Sequence, residues 1–323
     1  MLTTSFTRRF GVVHPIVQAG MGHECGAALA SAVSNAGALG SIGSIGAGPH
    51  RLRDEIRACR TATDRPFAAN VVTWPWAPGA DALLDVVVAE RPPVVTLSFG
   101  DPLPALVRCR DAGLPVIVQV QDLPGARAAL AARPDALVVQ GNEAGGHTGR
   151  RGTLAFAAQV LDEAGGVPVL VAGGIASGRG LAAALAMGAA GAVIGTRFKA
   201  TVEFGGAAAL KEQIVASDGE NTLYDEVLDD AYGLAWPNGV TGRALRSRFT
   251  DAWAGRRDEL RARVAAEPPR AFVARLAADP ATAINWAGEA SGLVAAVEPA
   301  ADAVRAVVAD AEARLRAVAG ALS

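Results

Sequence analysis

A single histidine set among glycines is the part of this sequence best suited to chemistry. In Gln140-Gly141-Asn142-Glu143-Ala144-Gly145-Gly146-His147-Thr148-Gly149, three of the five residues from 145 to 149 are glycine. Imidazole exchanges a proton near neutral pH more readily than any other unperturbed side chain. Glycine lets the main chain approach a ligand closely. The stretch follows Ala136-Leu137-Val138-Val139, an apolar run that reads as a buried strand. A strand that ends in a glycine loop displaying one histidine predicts an active site, with His147 as its acid–base group. The plainer reading of the same residues is a glycine turn with a surface histidine.

Two later turns have the chemistry to hold an anion. Ala172-Gly173-Gly174-Ile175-Ala176-Ser177-Gly178 and Ile194-Gly195-Thr196-Arg197-Phe198 each carry an apolar run into a helical stretch. Backbone N–H groups at such turns bind phosphate, so Gly173, Gly174, Gly195 and Thr196 are expected to hold one. Read as structure alone, they are tight turns, with Ser177 as an ordinary helix cap. Gly20-Met21-Gly22-His23-Glu24-Cys25-Gly26 has the first two glycines of a dinucleotide fingerprint. The third falls one residue late, and no acidic residue ends the next strand. These glycines instead let the first strand end close to a flat ligand. His23 beside Glu24 reads as a helix-start cap, with acid–base work as the alternative. His14 reads as structural, and His50 carries no role. No HExxH or clustered ligand spacing is present, so no metal site is expected. Trp74 and Trp76 either line a pocket or cover a rim. The arginines of 243–263 read as a solvated helix face.

These residues need a scaffold, and the first two-thirds of the chain repeats one rhythm. Apolar runs at 15–21, 38–44, 67–72, 94–99, 116–120, 137–140, 169–172 and 192–195 read as strands. Helical stretches follow at 24–35, 49–60, 81–90, 102–111, 124–132, 154–164 and 177–187. Short, wholly apolar strands alternating with helices are the pattern of a parallel sheet buried on both faces. Eight such units predict an α/β fold, a closed (β/α)8 TIM barrel, with a doubly wound sheet as the alternative. Barrel enzymes build their sites at the C-terminal ends of the strands. Those ends include Gln18–Met21, Asn70, Gln119–Gln121 and Gln140. They are rich in amides and glycine and poor in charge, which suits a large neutral heterocycle. After Thr196 the rhythm stops. Residues 203–299 predict a mostly helical cap, with helices at 207–217, 241–266 and 271–278. Residues 1–202 and 300–323 form the barrel, and 300–319 supplies its last helix.

Bulk properties narrow the class. Apolar residues make up 51% of the 323, enough for a large core. A net charge of -2 leaves no electrostatic footprint for nucleic acid. The three cysteines are far apart, which fits a reducing cytoplasm rather than a disulfide framework. No signal peptide or apolar run long enough to span a membrane is visible.

Four stretches, in order, resemble the nitronate monooxygenase family, formerly the 2-nitropropane dioxygenases. They are Pro15-Ile-Val-Gln-Ala-Gly-Met21, Gln140-Gly-Asn-Glu-Ala-Gly-Gly-His147, Pro168-Val-Leu-Val-Ala-Gly-Gly-Ile-Ala176 and Gly188-Ala-Ala-Gly-Ala-Val-Ile-Gly-Thr196. The resemblance implies a TIM barrel that binds FMN non-covalently. It places Gln18, Ala19, Gly20 and Met21 along the isoalloxazine and Asn70 near its pyrimidine side. Gln119, Gln140, Gly145 and Gly146 also contact the flavin, the phosphate lies on Gly173, Gly174, Gly195 and Thr196, and His147 is catalytic. The implied reaction is oxidation of a small alkyl nitronate, with nitroalkanes as a further substrate, by O2 to a carbonyl compound and nitrite. The Glu-Ala-Gly-Gly-His core also resembles flavin-dependent enoyl reductases and NADH:quinone reductases. The alternative is therefore a flavin reduced by NAD(P)H that reduces an enoyl thioester or a quinone. A non-catalytic barrel binding a phosphorylated ligand is the reading from another class. The resemblance stops at Thr196, so the oligomeric state and the role of the cap stay open.

Overall fold

The computed structural model describes residues 2–74, 79–234, 236 and 239–321. The strands in chain order are β1 (Ile16–Gln18), β2 (Gly40–Ile42), β3 (Phe67–Val72), β4 (Val94–Ser98), β5 (Val116–Val120), β6 (Ala136–Gln140), β7 (Gly146–Thr148), β8 (Val169–Ala172), β9 (Gly191–Ile194), β10 (Thr222–Tyr224) and β11 (Thr241–Leu245). Eight of them pair in parallel in the order β1-β9-β8-β6-β5-β4-β3-β2. A parallel bridge between Val17 and Leu39 joins the two ends. Gln18 donates its N–H to the Leu39 carbonyl at 2.9 Å and Leu39 donates back to Ile16 at 2.9 Å, which closes the TIM barrel. All six residues of β3 are buried, as expected of strands covered on both faces.

The helices are α1 (Ser5–Phe10), α2 (Ala27–Asn35), α3 (Pro49–Ala62), α4 (Ala80–Glu90), α5 (Leu103–Asp111), α6 (Leu123–Ala131), α7 (Thr153–Glu163), α8 (Gly178–Ala186), α9 (Thr196–Lys199), α10 (Ala208–Val215), α11 (Val227–Asp230), α12 (Arg248–Trp253), α13 (Arg257–Ala265), α14 (Pro269–Ala278) and α15 (Ala300–Gly320). The sequence reading contained no counterpart of α1. Thr4 and Thr7 start it with a reciprocal capping box. It sends Phe6 and Phe10 into the apolar cluster that fills the barrel with Val17, Ile117, Leu170 and Val193. The last helix, α15, lies against α8 and α2. It buries Ala300, Ala303, Val304, Val307, Val308 and Ala311, a stripe at helical spacing. The approach is so close that a Cβ on Gly178 would stand 2.3 Å from the Ala311 nitrogen.

Where a mostly helical stretch was expected, residues 203–299 also hold two strands, β10 and β11. The stretch 241–266 is not one helix. Thr241–Leu245 is a strand, paired antiparallel with β10 on one side and β7 on the other. Gly242 lies so close to the Trp286 ring that a Cβ there would come within 2.3 Å, which no helix-favouring side chain could accept. Ser247 and Thr250 then cap α12 afresh, and Gly255 at φ +80 separates α12 from α13. These helices share their own apolar cluster with Val227, Leu228, Phe249, Leu260, Val264 and Phe272. Among the described residues no helix is long and apolar enough to cross a membrane.

The cysteines are packing groups. All three are free and buried. Burial pushes the thiols of Cys25 and Cys59 up to about 12 and that of Cys109 to about 11. Thiolate, not thiol, is the nucleophile. The folded protein at pH 8 is therefore expected to leave a chromogenic disulfide reagent unreacted over the mixing time and to release three equivalents on unfolding. A thiol titrating at once in the native protein would contradict this packing.

Candidate active site

The loop after β6 does not wander from strand to helix. Glycine lets it turn at once, and residues 146–148 become β7, an edge of the three-stranded sheet. The β7–β11 register sets His147 directly opposite Gly242. The carboxylate of Asp229, on α11, accepts a hydrogen bond from His147 Nε2 at 2.5 Å. Its other oxygen accepts from the Thr241 hydroxyl at 3.1 Å. The His147 side chain is 15% exposed and that of Asp229 6%. An ionised carboxylate can only accept, so against one Nε2 would be the donor and Nδ1 the nitrogen left for other partners. Aromatic rings enclose the imidazole. Trp236 stacks on it at 3.9 Å, Trp286 lies at 5.0 Å, and Phe99 meets it edge-on at 6.4 Å. The ring thus faces a carboxylate at one edge and an indole on its face.

An amide network lies beside this ring. Gln140 Oε1 accepts from Gln119 Nε2 at 2.8 Å and from Gln121 Nε2 at 2.7 Å. Gln121 also donates to the His147 carbonyl at 3.2 Å, tying the strand ends to the loop. Gln18, Ala19, Gly20, Asn70 and Gln119 come together around a cavity of about 30 Å³ at the barrel mouth. Gln18 is fully buried, and its amide is committed to protein: Oε1 accepts from the Ser41 N–H at 2.8 Å and Nε2 donates to the Ala19 carbonyl. Asn70 Nδ2 donates to Thr96 Oγ1 and Ser98 Oγ, each at 3.1 Å. Gly20 must be glycine because a Cβ would fall 2.6 Å from that of Asn70. The Ser41 hydroxyl borders the same cavity, is buried, and has no hydrogen-bond partner among the described residues.

The remaining glycines separate by function. Gly173 and Gly174 have φ of +107 and +70. Gly173 is pressed against the Thr153 hydroxyl, 2.6 Å from where its Cβ would lie, whereas Gly174 is more open. Among the described residues, neither Gly174 nor Gly195 donates its N–H to a main-chain carbonyl. Met21 packs near Gly195, 3.4 Å from a Cβ placed there. Thr196 Oγ1 accepts from the Gly288 N–H at 3.0 Å, which leaves its own proton free to donate outward. Gly145 faces the main chain of Ala287 and Gly288, 2.5 Å from a placed Cβ, so its close approach is to protein. Gly146, at φ +75, has open space where a Cβ would stand. Glu143 turns away to cap α7, accepting the Thr153 N–H at 3.0 Å and its hydroxyl at 2.5 Å.

Several residues are placed otherwise than the sequence suggested. Arg243 is not on a solvated helix face. It is buried on β11, where its Nε donates to the Asn142 carbonyl at 2.9 Å and its guanidinium pairs with Glu289 at 3.0 Å. His23 lies 3.8 Å from Glu24 in an open surface pair. Trp74 stacks on Trp236 at 6.3 Å and so reaches the aromatic group over His147. Trp76 lies outside the described residues. Asp229, Trp236, Trp286 and Thr241 were missed, because nothing local in the sequence links them to a histidine some 80–140 residues earlier. Among the described residues no group of three or more His, Cys, Asp or Glu could hold a metal ion.

This geometry meets its relatives. The model of the nitronate monooxygenase family matches residues 4–82 and 72–310. A (3aS,4S,5R,7aS)-5-hydroxy-7a-methyl-1-oxo-octahydro-1H-indene-4-carboxyl-CoA dehydrogenase of Mycobacterium tuberculosis is 35% identical over 77% of this chain and 68% of its own length. A nitronate monooxygenase of Pseudomonas aeruginosa is 34% identical over 73% of this chain and 80% of its own. Among solved structures, FabK of Thermotoga maritima superposes with a TM-score of 0.86 at 31% identity, covering 99% of both chains. With its family model matching residues 4–82 and 72–310, most of its length, the chain belongs to the nitronate monooxygenase family.

Proposed function

We propose that this enzyme oxidises small alkyl nitronates, and nitroalkanes through them, with O2 to a carbonyl compound and nitrite, using FMN. Family membership implies a flavin. The residues suit one in chemistry: the buried Ser41 hydroxyl, without a partner among the described residues, and the amides of Asn70 and Gln119 border an uncharged mouth. Ala19, Gly20 and Met21 would offer main chain along the ring, with Gln18 fixing that main chain from behind. Gln140 and the open Gly146 would flank its other side, while Gly145 and Gly173 shape the loops rather than touch it. The N–H groups of Gly174 and Gly195 and the Thr196 hydroxyl would hold the phosphate. When bound, the flavin supplies the electron chemistry that O2 completes.

The protein's own contribution is proton transfer and orientation. The observation that carries the reading is His147 Nε2 within hydrogen-bond distance of the Asp229 carboxylate. Nδ1 is then the base that takes the α-proton of a neutral nitroalkane. The imidazolium formed faces the Asp229 carboxylate on one side and can hold the anionic nitronate on the other. We further propose residues 1–202 and 300–323 as the flavin-binding barrel and 203–299 as a cap. The cap brings Asp229, Trp236 and Trp286 over His147 and keeps water from the site.

Replacing Gly174 with Asp puts a carboxylate against the phosphate. The folded variant is expected to lose its flavin absorbance on desalting, and retention of a full complement would remove the phosphate assignment. His147→Ala is expected to keep FMN but lose about 10²–10⁴-fold in turnover of neutral nitroalkane, the usual worth of a general base. Preformed nitronate should suffer less, because its proton is already gone. Asp229→Asn can present an N–H to the ring and favour the other tautomer, so it should share the selective loss on nitroalkane. Equal losses on the two substrates, measured on one preparation, would reduce both residues to binding roles.

A further inference from the structure

Lys199 ends α9, half-buried, and the proton transfer above does not use it. Its ammonium donates to the Trp286 carbonyl at 2.7 Å and to Asn285 Oδ1 at 3.2 Å, and it lies 5.7 Å over the Phe204 ring. These acceptors open a segment, 285–289, that is anchored at almost every residue. Asn285 Nδ2 donates to the Leu210 carbonyl at 2.8 Å, and the Asn285 carbonyl accepts from the Leu245 N–H of β11 at 2.9 Å. Gly288 donates to Thr196 Oγ1 at 3.0 Å, and Glu289 donates its N–H to the Glu143 carbonyl at 3.0 Å. The segment therefore threads between the start of α9 and the loop that carries His147. One side chain on it reaches the ring: Trp286, at 5.0 Å, which also packs on Gly242, the residue opposite His147 in the sheet.

We infer that Lys199 is a positioning residue for His147, holding the 285–289 segment through its two hydrogen bonds so that the Trp286 indole fixes the imidazole against Asp229. The catalytic consequence rests on the proposed proton transfer; the positioning itself does not. An ammonium is well suited to the task, because bonds from a charged donor are roughly twice as strong as neutral ones. Glu24 and Cys25, on the loop after β1, are the titratable groups that face it. Glu24 favours the charge, the Cys25 thiol stays neutral, and Glu289 on the segment is turned to Arg243. Burial still draws the Lys199 ammonium down to about 8, so its charge is full below that pH and is lost as pH rises through it.

The test compares Lys199→Met, which removes the donors, with Lys199→Gln, which keeps an uncharged donor on a side chain one bond shorter, in full-length flavin-loaded protein. With ¹³C-labelled histidine and His147→Ala for assignment, the His147 ring C–H resonances report its position against Trp286. Lys199→Met is expected to move them and Lys199→Gln to leave them near the wild-type position at pH 7. Turnover of neutral nitroalkane should fall about 10-fold in Lys199→Met with KM unchanged, and preformed nitronate should fall less. Unmoved resonances in folded Lys199→Met, or equal displacement in both variants, would overturn the inference. Unmoved resonances alongside normal wild-type nitronate turnover would leave the proposed function intact. Shifted resonances in a protein that oxidises no nitronate would sink that function and leave the positioning role standing.

Discussion

The contact between His147 and Asp229 joins parts of the chain 82 residues apart, one from the barrel and one from beyond it. Most of the unusual structure around it is needed to make that contact. The glycines after β6 let the chain double back into β7. Pairing of β7 with β11 sets the histidine's height, and Thr241 on β11 also orients the Asp229 carboxylate. Gly242 clears the space into which Trp286 packs. A carboxylate on one ring nitrogen commits a proton there, so the same contact decides which nitrogen remains free for chemistry.

The barrel does different work. Its strands place amides rather than charges at the mouth, and those amides satisfy one another: Gln119 and Gln121 on Gln140, Asn70 on Thr96 and Ser98, Gln18 on the main chain. Buried polar groups in such a network are costly unless paired, and pairing makes their positions rigid. The site thus combines a fixed, neutral floor with one protonatable ring above it. Electrostatic work is concentrated at His147, where Asp229 and the indole faces can compensate a transient positive charge.

Much of the fold was legible because the barrel obeys local rules. Apolar runs such as 67–72 and 116–120 are strands at those bounds, since burial on both faces leaves no polar alternation to mislead. The glycine turns were legible for the same reason: positive φ at Gly146, Gly173 and Gly174 is what glycine permits. Beyond β9 the helices α10, α14 and α15 lie where helices were expected, but the strands and the site residues there were not legible. Residues 241–266 carry arginines at spacings that mimic a helix face, yet Thr241–Leu245 is held as a strand by β7 and β10, a choice made by tertiary pairing and not by propensity. The partner of His147 was hidden similarly. An aspartate in Val227–Asp230 has no local signature that distinguishes it from its paired neighbour Asp230, which meets Arg257 and Arg261 instead.

In the proposed reaction, electrons enter this protein from a nitronate. Anaerobic mixing of the flavin-loaded protein with propyl-1-nitronate in one syringe, and with NADH or NADPH in another, tests it by the flavin's visible absorbance. Bleaching by the nitronate and an unchanged spectrum with either nicotinamide is the expected result. Bleaching by a nicotinamide, with the nitronate inert, would contradict the account and make the protein a reductase on the same barrel.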